Sequence, residues 1–187
     1  MIVVTAMTAV IMVAITDSVI FFYRANTSSI EQAYQVESAR VGMLALVKDL
    51  REATYGDDGS YPLAQMASTS LTFYADTDSD NAVEKVHYEL NGLSLTRTVT
   101  DETGTPPTYV GGAAATSTVS DHVRNVADGV YVFRYYRADG TEATTSASIG
   151  DVQSVTITLV VDITPKHAPG EFTLTSGATF RNLRIQN

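Results

Sequence analysis

The sequence predicts an α+β fold, with one long N-terminal helix packed on an antiparallel β-rich head. Three features of the 187 residues carry this expectation. The chain opens on an uncharged apolar run from Met1 to Ile15. Apolar residues then recur at spacings of three and four as far as Ala53, which marks a helix with one apolar face. Beyond Tyr55 the pattern changes to short alternating runs divided by glycine, proline and asparagine, as in a sheet.

Residues 1–24 read as the membrane-spanning first half of the helix. Thr5 and Thr8 are the only polar residues before Thr16, the first acid is Asp17 and the first base is Arg24. With Ser18–Tyr23 added, the run reaches the roughly 20 residues that cross a bilayer. A secretory signal peptide would need basic residues in front and a small-residue cleavage site behind. Nothing basic precedes Arg24, and Ala14-Ile15-Thr16-Asp17 is a poor cleavage site. A core helix of a soluble protein would be shorter and keep one polar face. Within this segment Thr5, Ala9 and Thr16 fall within about 40° of one another on the helical wheel. Such a stripe of small residues lets helix backbones approach closely, and bulky Ile11 faces away from it. Asp17 lies off the stripe near the expected membrane end. An acid costs roughly 2.5–3.5 kcal/mol at the bilayer centre and less at its edge, so a headgroup or a partner's base is its expected neighbour. The alternative is that the threonines bond back to their own helix and Asp17 meets interfacial water.

Residues 25–54 read as an amphipathic extension of the same helix. They hold no proline, and their only glycine is Gly42. Val36, Ala39, Met43, Leu46, Val47, Leu50 and Ala53 form one apolar stripe, and the charged residues mostly occupy other faces. Thr27-Ser28-Ser29-Ile30-Glu31 has the form of a capping box, Ser28 with Glu31, which predicts a break or bend there. Unbroken, residues 1–54 would make a rod of roughly 80 Å.

Residues 55–187 read as the β-rich globular head. Gly56–Gly59 and Pro62 end the helix; Ser70–Tyr74 and Val83–Tyr88 alternate as strands do. Asn91-Gly92 predicts a hairpin between Tyr88–Leu90 and Leu93–Leu95. Further strands are expected at Val130–Tyr136, at Val152–Ile163, at Phe172–Leu174 and at Thr179–Ile185. Thr100–Gly112 and the small-residue run Ala113–Thr118 read as connecting segments. Sixteen acids and eight bases fall on residues 55–187, a formal charge of −8 that disfavours nucleic acid as a partner. Cysteine is absent, which removes disulfide and thiol chemistry.

Asp76-Thr77-Asp78-Ser79-Asp80-Asn81 sets three carboxylates at alternate positions, as at the start of an EF-hand loop. Hard cations take several oxygens at once, and alternate residues in a tight loop can converge on one point. The pattern then departs, with Asn81 where glycine would stand and His87 where glutamate would. Two readings stay open: Ca²⁺ held by Asp76, Asp78 and Asp80 with Glu84 as a further ligand, or an acidic hairpin turn satisfying its own backbone. No other cofactor is suggested. His87, His122 and His167 are far apart and lack metal-ligand spacing, with His87 expected as a satisfied strand residue. Neither a nucleophile elbow nor a phosphate-binding glycine loop occurs, so an enzyme has no constellation to rest on.

The order of these segments resembles the type IV pilin-like superfamily. An apolar helix runs into an amphipathic one closed by Val47-Lys48-Asp49-Leu50-Arg51-Glu52-Ala53. A β domain follows, with the hairpin Ser70–Asp76 and Val83–Tyr88, ending in Thr179-Phe180-Arg181-Asn182-Leu183-Arg184. This is similar to the minor pilins and the J or W-type minor pseudopilins of type II secretion. The resemblance implies a non-enzymatic structural subunit of a type IV pilus or type II secretion-type filament, assembled through its N-terminal helix. It also implies a single pass through the cytoplasmic membrane, with the head outside the cytoplasm at the cell surface or in the periplasm. Other pilin-like subunits and the membrane assembly machinery would then be its partners. The family opens with a basic leader, a glycine, a phenylalanine or methionine, and a glutamate at the fifth mature position. None of these is here, and counted from Met1 the fifth residue is Thr5. The expectation is a start several residues inside the mature helix, or else a variant without the glutamate. A single-pass anchored binding module, such as an adhesin or sensor ectodomain, is the alternative from a different class.

Overall fold

The structure, a computed structural model, describes residues 2–144, 146–163 and 170–180. It has the expected α+β architecture, a long helix α1 (Ile2–Arg51) and two antiparallel sheets. Strands β1 (Leu63–Met66), β2 (Ser70–Ala75), β3 (Glu84–Asn91), β4 (Ser94–Thr100) and β5 (Ala114–Ser120) form a five-stranded sheet in sequential order. Strands β6 (Phe133–Arg137), β7 (Val152–Val161) and β8 (Phe172–Thr179) form the second sheet, and a 3₁₀ turn (Ser146–Asp151) precedes β7. The chain divides into two compact units, Met1–Tyr34 and Gln35–Asn187.

The predicted break at residues 27–31 does not occur, because α1 is helical throughout its 50 residues. Ser29 shows why: its hydroxyl donates to the Ala25 carbonyl one turn back instead of capping a new helix. A capping residue acts only where the preceding turn is already broken, and residues 24–27 keep that turn helical. Lys48 and Arg51 close the helix, complementing the partial negative charge of its end. Ala53 then bridges to Ala75 and hands the chain to the sheet.

Within the second unit the apolar stripe of α1 is the floor of the core. Ala39, Met43, Leu46, Val47, Leu50 and Ala53 are buried together with Leu71, Phe73, Val86, Tyr88 and Leu95 of the first sheet. Cross-strand register explains the selection: Leu71 opposes Tyr88 and Phe73 opposes Val86, so all four share the helix-facing side. The same core takes Phe133 and Tyr135 of β6 with Val155, Ile157 and Leu159 of β7. Each large aliphatic side chain so buried contributes about 1.5–3 kcal/mol. The β1–β2 turn joins the sheets: Ser68 O accepts from Val132 N and Phe133 N, and Tyr135 Oη donates to Ala67 O. Buried Asn125 extends β7, accepting from Val160 N and donating to Thr158 O, both at 2.7–2.8 Å.

Gly42 has a packing reason. A Cβ there would overlap the backbone oxygen and Cγ1 of Val119, so only glycine lets the end of β5 lie on the helix.

Three boundaries differ from expectation. The hairpin turn is Gly92-Leu93, with Asn91 paired to Ser94, because Gly92 takes φ +63° at the first central position. Residues 130–132 leave the predicted strand, as Val130 N bonds Asn125 O and Val132 N bonds Ser68 O. The small-residue run at 113–118 falls largely in strand β5, not in a connecting segment. The strand expected at Thr179–Ile185 lies outside the described residues beyond Phe180.

A carboxylate of α1 is taken into this core. Asp49, 5% exposed, accepts from Tyr88 Oη and Arg97 Nε through the same oxygen, each at 2.8 Å. Burial, and then the charge of Asp49, push the Tyr88 phenol above its ordinary value, so it stays a donor. Removing one member of such a pair leaves the other charge uncompensated. Arg97→Ala is therefore expected to lower unfolding stability by about 3 kcal/mol, read from urea denaturation of the full chain in detergent. A loss below about 0.5 kcal/mol, the range of ordinary surface changes, would contradict the assignment.

Candidate functional site

Two regions draw the sequence-predicted residues. The first is the apolar part of α1, in the unit Met1–Tyr34. An 18-residue window of this helix reaches a mean hydropathy of 2.1 with none of it buried, so the helix is long and apolar enough to cross a membrane. Val10 is 70% exposed, Ile11 57% and Phe22 77%. Thr5, Ala9, Thr16 and Asp17 are all exposed as well. The Thr5 hydroxyl donates to Ile2 O and the Thr16 hydroxyl to Met12 O, at 2.9 and 2.8 Å. Thr8 does the same toward Val4 and Thr5. The hydroxyls are thus satisfied within the helix, and what the stripe presents outward is small and largely apolar.

The second region is the loop between β2 and β3. Asp76, Asp78, Asp80 and Glu84 bring ligand oxygens within 4.8 Å of one another. Glu84, the first residue of β3, is buried, whereas Asp78 and Asp80 are exposed. The loop is shaped by its own carboxylates. Asp76 accepts from Ser79 N and Asn81 N, Asp78 from Asp80 N, and Asp80 from Ala82 N. Asn81 takes φ +75°, the left-handed conformation that glycine supplies at the sixth position of an EF-hand loop. Asparagine adopts it more readily than other side chains, so the departure from glycine leaves the loop geometry intact. Glu84 Oε2 accepts from Thr77 N at 2.7 Å. Each carboxylate has about four lone-pair sites, so these bonds leave oxygen capacity toward a cation.

Contacts distant in sequence hold this loop in place. Tyr109 Oη donates to Val83 O at 2.6 Å and accepts from Asp57 N, while Val83 N donates to Asp57 Oδ2. Burial, with the charges of Asp57 and Asp58 behind it, pushes the Tyr109 phenol up to about 12. Asp57 and Tyr109 were not legible as part of the site, since each lies 26 residues from Val83. Burial also raises the Glu84 carboxyl; its bonds with Thr77 oppose the rise, and the charges of Asp78 and Asp76 add to it.

His87 is a satisfied strand residue, its Nδ1 2.8 Å from Thr72 Oγ1. His122 has a left-handed backbone and its carbonyl accepts from Asp162 N, and His167 lies outside the described residues. No protein-family model and no curated sequence matches this chain.

Proposed function

We propose that this protein is a non-enzymatic structural subunit of a type IV pilus or type II secretion-type filament, inserted and assembled through α1. One observation carries the reading: a single unbroken helix serves two environments. Its first two dozen residues expose apolar side chains on every face, and its last turns bury one face, from Ala39 to Leu50, in the core of the β-rich unit. A helix apolar all round is suited to lipid or to other helices, not to water. The stripe of Thr5, Ala9 and Thr16 then faces neighbouring subunits, Asp17 sits at the headgroup level or against a partner's base, and the head lies outside the cytoplasm. Because the chain has no cysteine, a single introduced thiol is unique. A photo-crosslinker attached at Ala9→Cys in cells is expected to capture other pilin-like chains, with much less capture from Ile11→Cys. Membrane-bound protein with no crosslink at either position would indicate a monomeric anchored module instead.

The converging carboxylates favour a second, compatible reading. We propose that Asp76, Asp78, Asp80 and Glu84 hold a hard divalent cation, Ca²⁺ by its preference for several oxygen ligands. The raised Glu84 carboxyl gives the test its sign. A carboxyl raised on folding favours the folded state below its ordinary value of 4.5, and that contribution is lost as pH rises through the raised value. Without cation, Glu84→Gln should therefore raise the melting temperature at neutral pH and flatten this part of the pH profile. Millimolar calcium should raise the melting temperature of the parent by mass action and leave Glu84→Gln and Asp78→Ala unshifted. A parent that does not respond to calcium marks the loop as an ordinary acidic turn.

A further inference from the structure

We propose that the outer edge of β5 is a docking site for an extended strand of another polypeptide, uncharged along its middle and carrying lysine or arginine at its ends. The last strand of the five-stranded sheet pairs on one side only, with β4. Its register shows which groups are left. Asp101 N bonds Ala113 O, so in the alternating antiparallel ladder Ala115 and Ser117 bond inward to β4. Ala114, Thr116 and Thr118 therefore turn N–H and C=O groups outward. The Thr98 and Thr116 hydroxyls, 2.9 Å apart, agree with a non-hydrogen-bonded pair, where side chains approach most closely. Among the described residues, no backbone hydrogen bond reaches the outward groups of β5.

The outer edges of β1 and β6 are met by other segments. The 3₁₀ turn lies against β1. On β6, Ser68 O takes Phe133 N, and Ala143 N bonds Tyr135 O. Natural sheets also blunt bare edges with charge, proline or bulges. Residues 114–118 of β5 have none of these, and all five side chains are exposed. The edge presented by β5 is a run of small residues, Ala114-Ala115-Thr116-Ser117-Thr118, open on the edge and on both faces. Water solvates such a row in the free chain, and an extended backbone can replace that water along its whole length, the recognition mode of β-strand addition. Threonine or serine in the added strand would continue the hydroxyl pairing already made by Thr98 and Thr116.

Charge selects the occupant. Asp101 and Glu102 stand by the start of β5 and Asp121 directly follows its end. Antiparallel pairing of two β5 edges would bring Asp121 of one copy toward Asp101 and Glu102 of the other. It would also join two units that each carry a formal charge of −8 over residues 55–187. A second copy is thus repelled, and a strand with basic ends is favoured.

The test uses the full chain in detergent and a fluorescent synthetic peptide, Thr-Val-Thr-Val-Thr with two lysines at each end. Saturable binding is expected, weakened by salt and by at least about tenfold when glutamates replace the lysines. Thr116→Pro removes an outward N–H and leaves the inward ladder bonds, so the edge strand can accept it. It should abolish binding with the melting temperature nearly unchanged, and Thr116→Lys, which adds charge to the edge, should do the same if the proline unfolds the sheet. The proposal is overturned by no binding, by binding that both variants retain, or by self-association of the chain that Thr116→Pro or Thr116→Lys removes.

Discussion

Asp49 is where the helix and the sheet become one structure. A carboxylate taken out of water costs several kcal/mol unless its charge and its lone pairs are met. Here both partners come from the sheet facing α1, Tyr88 on β3 and Arg97 on β4, opposite one another in register. Apolar contacts alone would let the stripe from Ala39 to Ala53 slide by a turn at modest cost, since hydrophobic burial is not directional. Two hydrogen bonds to one oxygen do not allow that slide. The register they impose places Gly42 under Val119, where β5 crosses the helix, and leaves the rest of β5 beyond it in solvent. The run Lys48-Asp49-Leu50-Arg51 thus alternates roles. Asp49 and Leu50 face inward, and Lys48 and Arg51 serve the helix end.

What the sequence revealed and what it hid follow from burial. The core stripe of α1 was legible because each of its residues records the same apolar environment at helical spacing. Strand β3 was legible for the corresponding reason at a period of two, β2 from the alternation Ser-Leu-Thr-Phe although both its faces are buried, and β7 from its run of threonine, valine and isoleucine. Strand β5 was not, because a strand exposed on both faces leaves no alternation in its sequence. Its strand character comes from the backbone of β4, which Ala-Ala-Thr-Ser-Thr merely permits. Asp49 and Arg97 were unreadable as a pair. They lie 48 residues apart, and a charged residue is expected at the surface by default. The capping-box motif at Ser28 and Glu31 misled because a local signal competes with a helix already propagating from both sides.

The acidic loop was the part of the candidate site that sequence located most closely, since alternate carboxylates converge through local geometry alone. Its anchoring was hidden. Tyr109 and Asp57 belong to other loops, and only the folded sheet brings them to Val83. They fix the strand end that carries Glu84, so the buried carboxylate enters the cluster from a rigid element while the three aspartates come from the turn. A rigid ligand with three adaptable ones is an arrangement that suits an ion of variable coordination.

In the proposed function α1 crosses from an apolar medium into water along one unbroken helix. Site-directed spin labels test this most directly, placed one at a time on the cysteine-free chain reconstituted in lipid bilayers. At Val10 and Ile15 the account predicts strong relaxation by dissolved oxygen and little by a water-soluble nickel chelate. At Ser38 and Leu44, which are exposed on the later part of the helix, it predicts the reverse. Nickel access at Val10 equal to that at Ser38 would contradict it.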